Sequence, residues 1–171
     1  FDDSKEAHVN MMDFRFGDTE SWFKDAFDLV RRFLREGGYR LYPSEISLPL
    51  EVSKKTTPTI KHCWNNMGWG YCPTNIPQWN QRYKVAFALL DDKNEVKKVF
   101  VDTQTDLSTW LKNKPTTYNF DLTLKGVSVG AYKWAVGLVD TTKDNTIGLR
   151  MAVKNNLLDS GWVKLMDITV K

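Results

Sequence analysis

The chain has 171 residues, of which 26% are charged and 13% aromatic, and its formal net charge is +3. This composition is typical of a globular domain with an apolar core and excludes a disordered chain. Because Lys and Arg are evenly spread and no apolar run approaches the roughly 20 residues that a membrane span needs, we expect neither nucleic acid nor a membrane as a partner.

The first predicted element is a helix over residues 18–36. Asp18 can cap its N-terminus, and Gly37 and Gly38 can end it in a left-handed turn. Seven apolar residues fall on one face at helical spacing: Trp22, Phe23, Ala26, Phe27, Val30, Phe33 and Leu34. A stripe this aromatic needs burial, so we expect this helix either to pack on the domain that follows or to be the last helix of a preceding domain.

After Gly38 the hydrophobic period changes from 3.6 to 2 residues, which predicts strands. The apolar sets Tyr118 to Leu124 and Tyr132 to Leu138 should face one shared core, and Leu90, on the other parity of the strand 83–89, indicates burial of both faces. Further strands are predicted over 45–52, 57–64, 96–101, 146–153 and 162–170. Some eight short strands without intervening helices predict a mainly β chain, an antiparallel β-sandwich of immunoglobulin or jelly-roll type with one N-terminal helix.

A long loop from Cys63 to Arg82 holds three of the seven tryptophans. Trp64 is expected in the core, but exposed rings beside amide groups fit a sugar, because a pyranose stacks its C–H face on an indole and offers hydroxyls to amides. We predict that Trp69, Tyr71 and Trp79 are platforms on which sugar rings stack. Gln78, Asn80 and Arg82 are predicted to form the rim that hydrogen-bonds the sugar hydroxyls. The alternative is that Trp69 and Trp79 only hold the loop onto the sheet.

Metal and cofactor chemistry has little support in the sequence. Cys63 and Cys72 can form a disulfide or stay free thiols, and their spacing does not decide between the two. His62 is expected half-exposed on a sheet face, and a zinc site would need a further ligand. The acidic hairpins 91–95 and 140–145 offer oxygens to calcium but lack the repetition of a dedicated site, so solvated turns are favoured and no cofactor is expected.

No catalytic constellation stands out. A glycosidase needs two carboxylates that flank the scissile bond, and no pair is marked by the sequence. There is no G-x-S-x-G elbow, phosphate-binding glycine loop or HExxH motif. We therefore expect no catalytic residues and no enzymatic activity.

Five segments together resemble a known domain: YRLYPSEI at 39–46, WNNMG at 64–68, YKVAFALLD at 83–91, DLSTWL at 106–111 and GAYKWAVGLVD at 130–140. Their order and spacing are similar to the C-terminal β-sandwich domain of unknown function appended to bacterial TIM-barrel glycoside-hydrolase-like proteins. The helix 18–36, which leads into YRLYP after two glycines, is similar to the tail of the preceding barrel.

The resemblance implies a division into a helical segment over 1–38, the tail of a preceding catalytic domain, and a β-sandwich over 39–171. It implies a noncatalytic module of a secreted or cell-surface polysaccharide-degrading enzyme, with a covalently linked catalytic domain. Phe1 in place of Met agrees with a piece of a longer protein. The aromatic loop then favours a carbohydrate-binding module for plant cell-wall β-glycan, such as β-glucan, cellulose or xylan. The alternative is a structural domain that packs on the catalytic barrel.

Overall fold

A computed structural model describes residues 1–15 and 19–171 of the chain. Its α-helices are α1 (Asp2–Glu6), α2 (Thr19–Lys24) and α3 (Phe27–Glu36), and a 3-10 helix covers Leu107–Thr109. The predicted cap Asp18 lies outside the described residues. No helix in those two ranges is long and apolar enough to cross a membrane.

The prediction of one continuous helix over 18–36 is wrong, because the chain leaves helical geometry between α2 and α3. The carbonyl of Ser21 accepts hydrogen bonds from the amides of both Asp25 (2.8 Å) and Ala26 (3.2 Å). Ala26 then takes φ −131° and ψ 29° and starts the next helix. The predicted left-handed stop is present, since Gly38 has φ +66°.

Nine strands follow in the described part of the chain: β1 (Leu41–Ser47), β2 (Glu51–Val52), β3 (Thr59–Asn66), β4 (Tyr83–Leu90), β5 (Val96–Asp102), β6 (Thr116–Asp121), β7 (Gly130–Asp140), β8 (Thr146–Leu149) and β9 (Val163–Val170). One sheet has the order β1-β3-β6, and the other has the order β2-β9-β7-β4-β5 with β8 beside β7. All pairings are antiparallel except the short pair β2–β9. The predicted antiparallel β-sandwich is confirmed.

The main core lies between the two sheets. It contains the alternating sets that were predicted to share a core, and Trp64 and Trp134 are fully buried in it. The division of the chain at residue 38 stays a prediction.

A second, smaller core covers the outer face of the larger sheet. Leu90 lies there as predicted, together with Ala86, Ala88, Ala135, Val139 and Trp162. The sheet is closely covered at Gly137, where an added Cβ would lie 2.3 Å from the side chain of Ile147 and 2.9 Å from that of Trp162. Strands β4 and β7 are therefore buried on both faces, which explains their nearly continuous apolar sequences.

Candidate functional site

Trp69, the first predicted sugar platform, is buried rather than exposed. Only 2% of it is accessible, and its ring packs against Phe33 and Phe1, with ring centroids 5.5 Å and 5.2 Å away. Its backbone amide donates to the Glu36 carbonyl (2.9 Å), and its carbonyl accepts from Nδ1 of His8 (2.7 Å). The expectation of an exposed platform is wrong here, because the N-terminal helical segment covers the ring.

The backbone around Trp69 lies directly against the end of the helical segment. The amide of Gly70 donates to the Gly38 carbonyl at 2.8 Å. A Cβ added to Gly68 would lie 2.1 Å from that same carbonyl oxygen, and one added to Gly70 would lie 2.2 Å from Oδ1 of Asn10. We call this contact between residues 36–40 and 66–70 the junction. Positions 68 and 70 need glycine because two backbone segments approach each other closely there.

Asn66 completes the junction with four hydrogen bonds. Its Oδ1 accepts from the amides of Arg40 (2.9 Å) and Gly68 (3.0 Å), while its Nδ2 donates to the carbonyls of Gly70 (2.7 Å) and Trp110 (3.0 Å). The amide group is therefore saturated by the protein itself. The WNNMG segment thus holds the helical segment on the sandwich.

Trp79, the last of the three predicted platforms Trp69, Tyr71 and Trp79, is half-buried. Its ring meets the Tyr83 ring edge-on with centroids 5.2 Å apart, and it packs against the main core. Its sequence neighbours Gln78 and Asn80 are exposed. Trp79 therefore offers a partial aromatic surface with amide groups on either side in the sequence.

The other two predicted binding residues are Tyr71 and Arg82. Tyr71 is half-buried, and its carbonyl accepts from Nδ2 of Asn10 (2.8 Å). The Arg82 guanidinium lies 4.7 Å from the Tyr83 ring centre, with Nε 3.4 Å from Oδ2 of Asp140. Trp69 and Tyr71 thus contact the N-terminal segment, whereas the other four predicted residues lie in the part of the loop that leads to Tyr83. The structure does not bring the six residues into one exposed platform.

A buried polar cluster that the sequence reasoning missed surrounds His62. His62 and Asp102 are 0% and 1% exposed, so the expectation of a half-exposed histidine is wrong. The indole Nε1 of Trp64 can only donate, and it donates to Nδ1 of His62 (2.7 Å). Nδ1 is therefore the acceptor, and Nε2 donates to Oδ2 of Asp102 (3.1 Å). His62 lies on the same face of its strand as Ile60 and Trp64, and this period-2 alternation could have predicted its burial.

The aromatic rings around His62 extend this cluster. The imidazole stacks on Tyr118, with centroids 5.4 Å apart, and Trp64 stacks on Trp110 at 4.8 Å. The Tyr118 hydroxyl accepts from Nε1 of Trp110 (2.9 Å) and from the amide of Asp106 (3.3 Å). The acid–base groups of this cluster are buried between the sheets, so a substrate cannot contact them. Their hydrogen bonds instead hold the two sheets in a fixed relative position.

The acidic hairpin after β4 is closed by its own partners. Oδ1 of Asp91 accepts from the amides of Lys93 and Glu95, both at 2.9 Å, and its Oδ2 lies 2.8 Å from Nζ of Lys97. These contacts make it a self-capped turn. Across residues 1–15 and 19–171, no three carboxylate, imidazole or thiol groups lie close enough to share a metal ion.

The second acidic hairpin, after β7, is likewise closed internally. Asp140 accepts from the amide (3.0 Å) and the hydroxyl (2.6 Å) of Thr142. Burial alone would raise the pKa of Asp140, but these hydrogen bonds and the charges of Arg82 and Lys143 outweigh it and lower the pKa below its usual 3.8. This carboxylate is a structural anion at neutral pH.

Both cysteines are free thiols in the structure. Cys63 is half-buried and Cys72 is buried. Burial raises the pKa of Cys72 to about 12, although a hydrogen bond with Tyr39 opposes the change. Cys72 is therefore a protonated, unreactive thiol at neutral pH.

The helical segment exposes large apolar side chains on the side away from the junction. Phe23, Phe27 and Leu34 are 51%, 47% and 69% exposed, and only Val30 of the predicted apolar stripe is buried. Phe33, by contrast, turns toward the sandwich and packs on Trp69. The predicted stripe is thus divided between two surfaces. We call the exposed one, formed by Phe23, Phe27, Arg31, Leu34 and Arg35, the outer helical face.

No protein-family model and no curated protein sequence matches the chain. Among solved structures, it is similar to a CARDB domain from Pyrococcus furiosus in complex with di-metal ions, at 19% identity over 78% of this chain and 89% of that chain, with a TM-score of 0.38. It is also similar to the beta-glucosidase from Listeria innocua in complex with glucose, at 14% identity over 77% of this chain, with a TM-score of 0.39.

A mutant of that beta-glucosidase in complex with laminaribiose gives 13% identity over 78% of this chain and a TM-score of 0.38. The chain spans about 16% of the length of both beta-glucosidase structures.

Proposed function

We propose that this chain is a noncatalytic accessory β-sandwich domain whose outer helical face packs against another domain of the same protein. The observation that carries the proposal is the two-sidedness of the helical segment. Its inner side is tied to the sandwich through Phe33, Trp69 and the junction, whereas Phe23, Phe27 and Leu34 face outward. Covering this apolar area yields roughly 25 cal/mol for each Å² removed from water.

The identity of the second domain rests on the resemblance in sequence. In glycoside-hydrolase-like proteins of that kind, the β-sandwich follows a TIM barrel, which makes a covalently linked catalytic barrel the partner. The burial of His62 and Asp102 keeps this acid–base pair away from a substrate, which supports the assignment of catalysis to that partner. A secreted or cell-surface location follows from the same reasoning.

The test is the association of this chain with the barrel of its parent protein, produced as a separate polypeptide. Titration calorimetry should detect a complex, and the double variant Phe27→Ser/Leu34→Ser should raise Kd at least about tenfold, since apolar residues at an interface centre dominate affinity. Val129→Ser, which changes an apolar side chain that is 64% exposed elsewhere, is the control. Absence of binding, or equal Kd values for all three proteins, would contradict the proposal.

Binding of plant cell-wall β-glycan is the second candidate function. The observation that favours it is the half-buried Trp79 between the exposed amides of Gln78 and Asn80. In affinity electrophoresis against soluble β-glucan and xylan, Gln78→Ala should then lose retardation, while Gln104→Ala, another exposed glutamine, should keep it. If the unmodified chain is not retarded, or if both variants are retarded equally, this candidate fails.

A further inference from the structure

We infer that the outer helical face binds a protein surface that is apolar at its centre and carries carboxylates opposite Arg31 and Arg35. The inference rests on the proposed function and adds the chemistry of the partner. At 3.6 residues per turn, Phe27, Arg31, Leu34 and Arg35 fall within an arc of roughly 100° on α3. Apolar and cationic side chains therefore share one surface.

The two arginines on this face are available for a partner. Arg31 and Arg35 form no ion pair with any residue that the structure describes, and both are exposed. Arg32, between them in sequence, is engaged instead, with Nε 3.6 Å from Oε2 of Glu36 and its guanidinium 5.5 Å from the Phe1 ring centre. Guanidinium groups pair best with carboxylates, which they bind through two parallel hydrogen bonds.

The local charges favour a protein partner over other anionic surfaces. Asp28 lines the same groove of about 170 Å³ as Arg31 and Arg35. A uniformly anionic membrane or nucleic acid would attract the two arginines but would leave Asp28 facing like charge, whereas a protein can place a donor against Asp28 and acids against the arginines. A second copy of the chain would present the same excess of positive charge, so like charges would oppose each other.

The experiment compares charge reversal with apolar removal in the calorimetric titration against the separately produced barrel. Arg31→Glu/Arg35→Glu should raise Kd at least about tenfold. It should also abolish the weakening of the complex that salt causes between about 0.05 M and about 0.5 M. Lys54→Glu/Lys55→Glu, a matched double reversal of exposed lysines outside this face, should leave Kd within about twofold. Circular dichroism and thermal melting establish that each variant is folded.

The outcomes separate the inference from the proposed function. If Phe27→Ser/Leu34→Ser weakens the complex and the arginine reversal does not, the charge inference is wrong and the docking function stands. If the unmodified chain does not bind the barrel, both fail. If the chain instead binds phosphatidylserine vesicles, or forms dimers in analytical ultracentrifugation, and the arginine reversal abolishes either behaviour, the partner chemistry is overturned.

Discussion

At the scale of single residues, the bond between His62 and Asp102 joins the two sheets, since His62 lies on β3 of the smaller sheet and Asp102 ends β5 of the larger one. Asp102 also accepts from the amide of Gln104 at 3.0 Å. Both side chains are sealed in the core, so neither can exchange its partner for water. The pair is therefore costly to break from either side.

Asp102→Ala should lower the free energy of unfolding by about 1–3 kcal/mol, because it leaves Nε2 of His62 buried without an acceptor. Urea denaturation measures the loss. Thr103→Ala, one residue away and exposed, should change it by less than about 0.5 kcal/mol. Equal effects of the two substitutions would show that the bond between the sheets contributes nothing specific.

Asp140 should make the fold sensitive to acid. Because its pKa in the folded chain lies below the usual 3.8, the ionised carboxylate stabilises the fold at neutral pH, and this contribution is lost as the pH falls through the lowered pKa. Asp140→Asn should therefore flatten the fall in stability between about pH 5 and about pH 2. Urea unfolding at a series of pH values measures this; identical slopes for the two proteins would contradict the assignment.

At the scale of elements, the strands were predictable and the contacts of the junction were not. Period-2 alternation placed β4, β6 and β7 and the shared core, because the pleat alone decides which side chains lie on one face. The same pattern could not tell that residues 36–40 would cover Trp69, since that contact joins separate segments of the chain. The sequence pattern did not predict the helix break at Ala26, because the helical spacing of apolar residues continues through that position.

Gly68→Ala should open the junction. Its new Cβ would lie 2.1 Å from the Gly38 carbonyl oxygen, a backbone atom that cannot rotate away, so we expect a loss of about 1–3 kcal/mol. Asn65→Ala, at a half-buried neighbouring position, is the control. Thermal unfolding measures the loss, and limited proteolysis should show faster cleavage near Glu36. A variant as stable and as protected as the control would mean that the two backbones do not meet there.

At the scale of the whole molecule, the aromatic loop lies against the helical segment at the junction. The loop contributes Asn66 and Trp69 to the junction, and the helical segment contributes the Gly38 carbonyl, while Phe33 packs beside the junction on Trp69. The outer helical face, by contrast, stays exposed at Phe23, Phe27 and Leu34.

The most direct test of this account is the free energy of unfolding of Trp69→Ala, measured by urea denaturation alongside retardation in β-glucan and xylan gels. A buried ring that joins the helical segment to the sandwich should cost about 3–5 kcal/mol on truncation, with glycan retardation the same as for the unmodified chain. A loss below about 1 kcal/mol together with weaker retardation would contradict the account, because it would mean that Trp69 is a sugar platform rather than part of the junction.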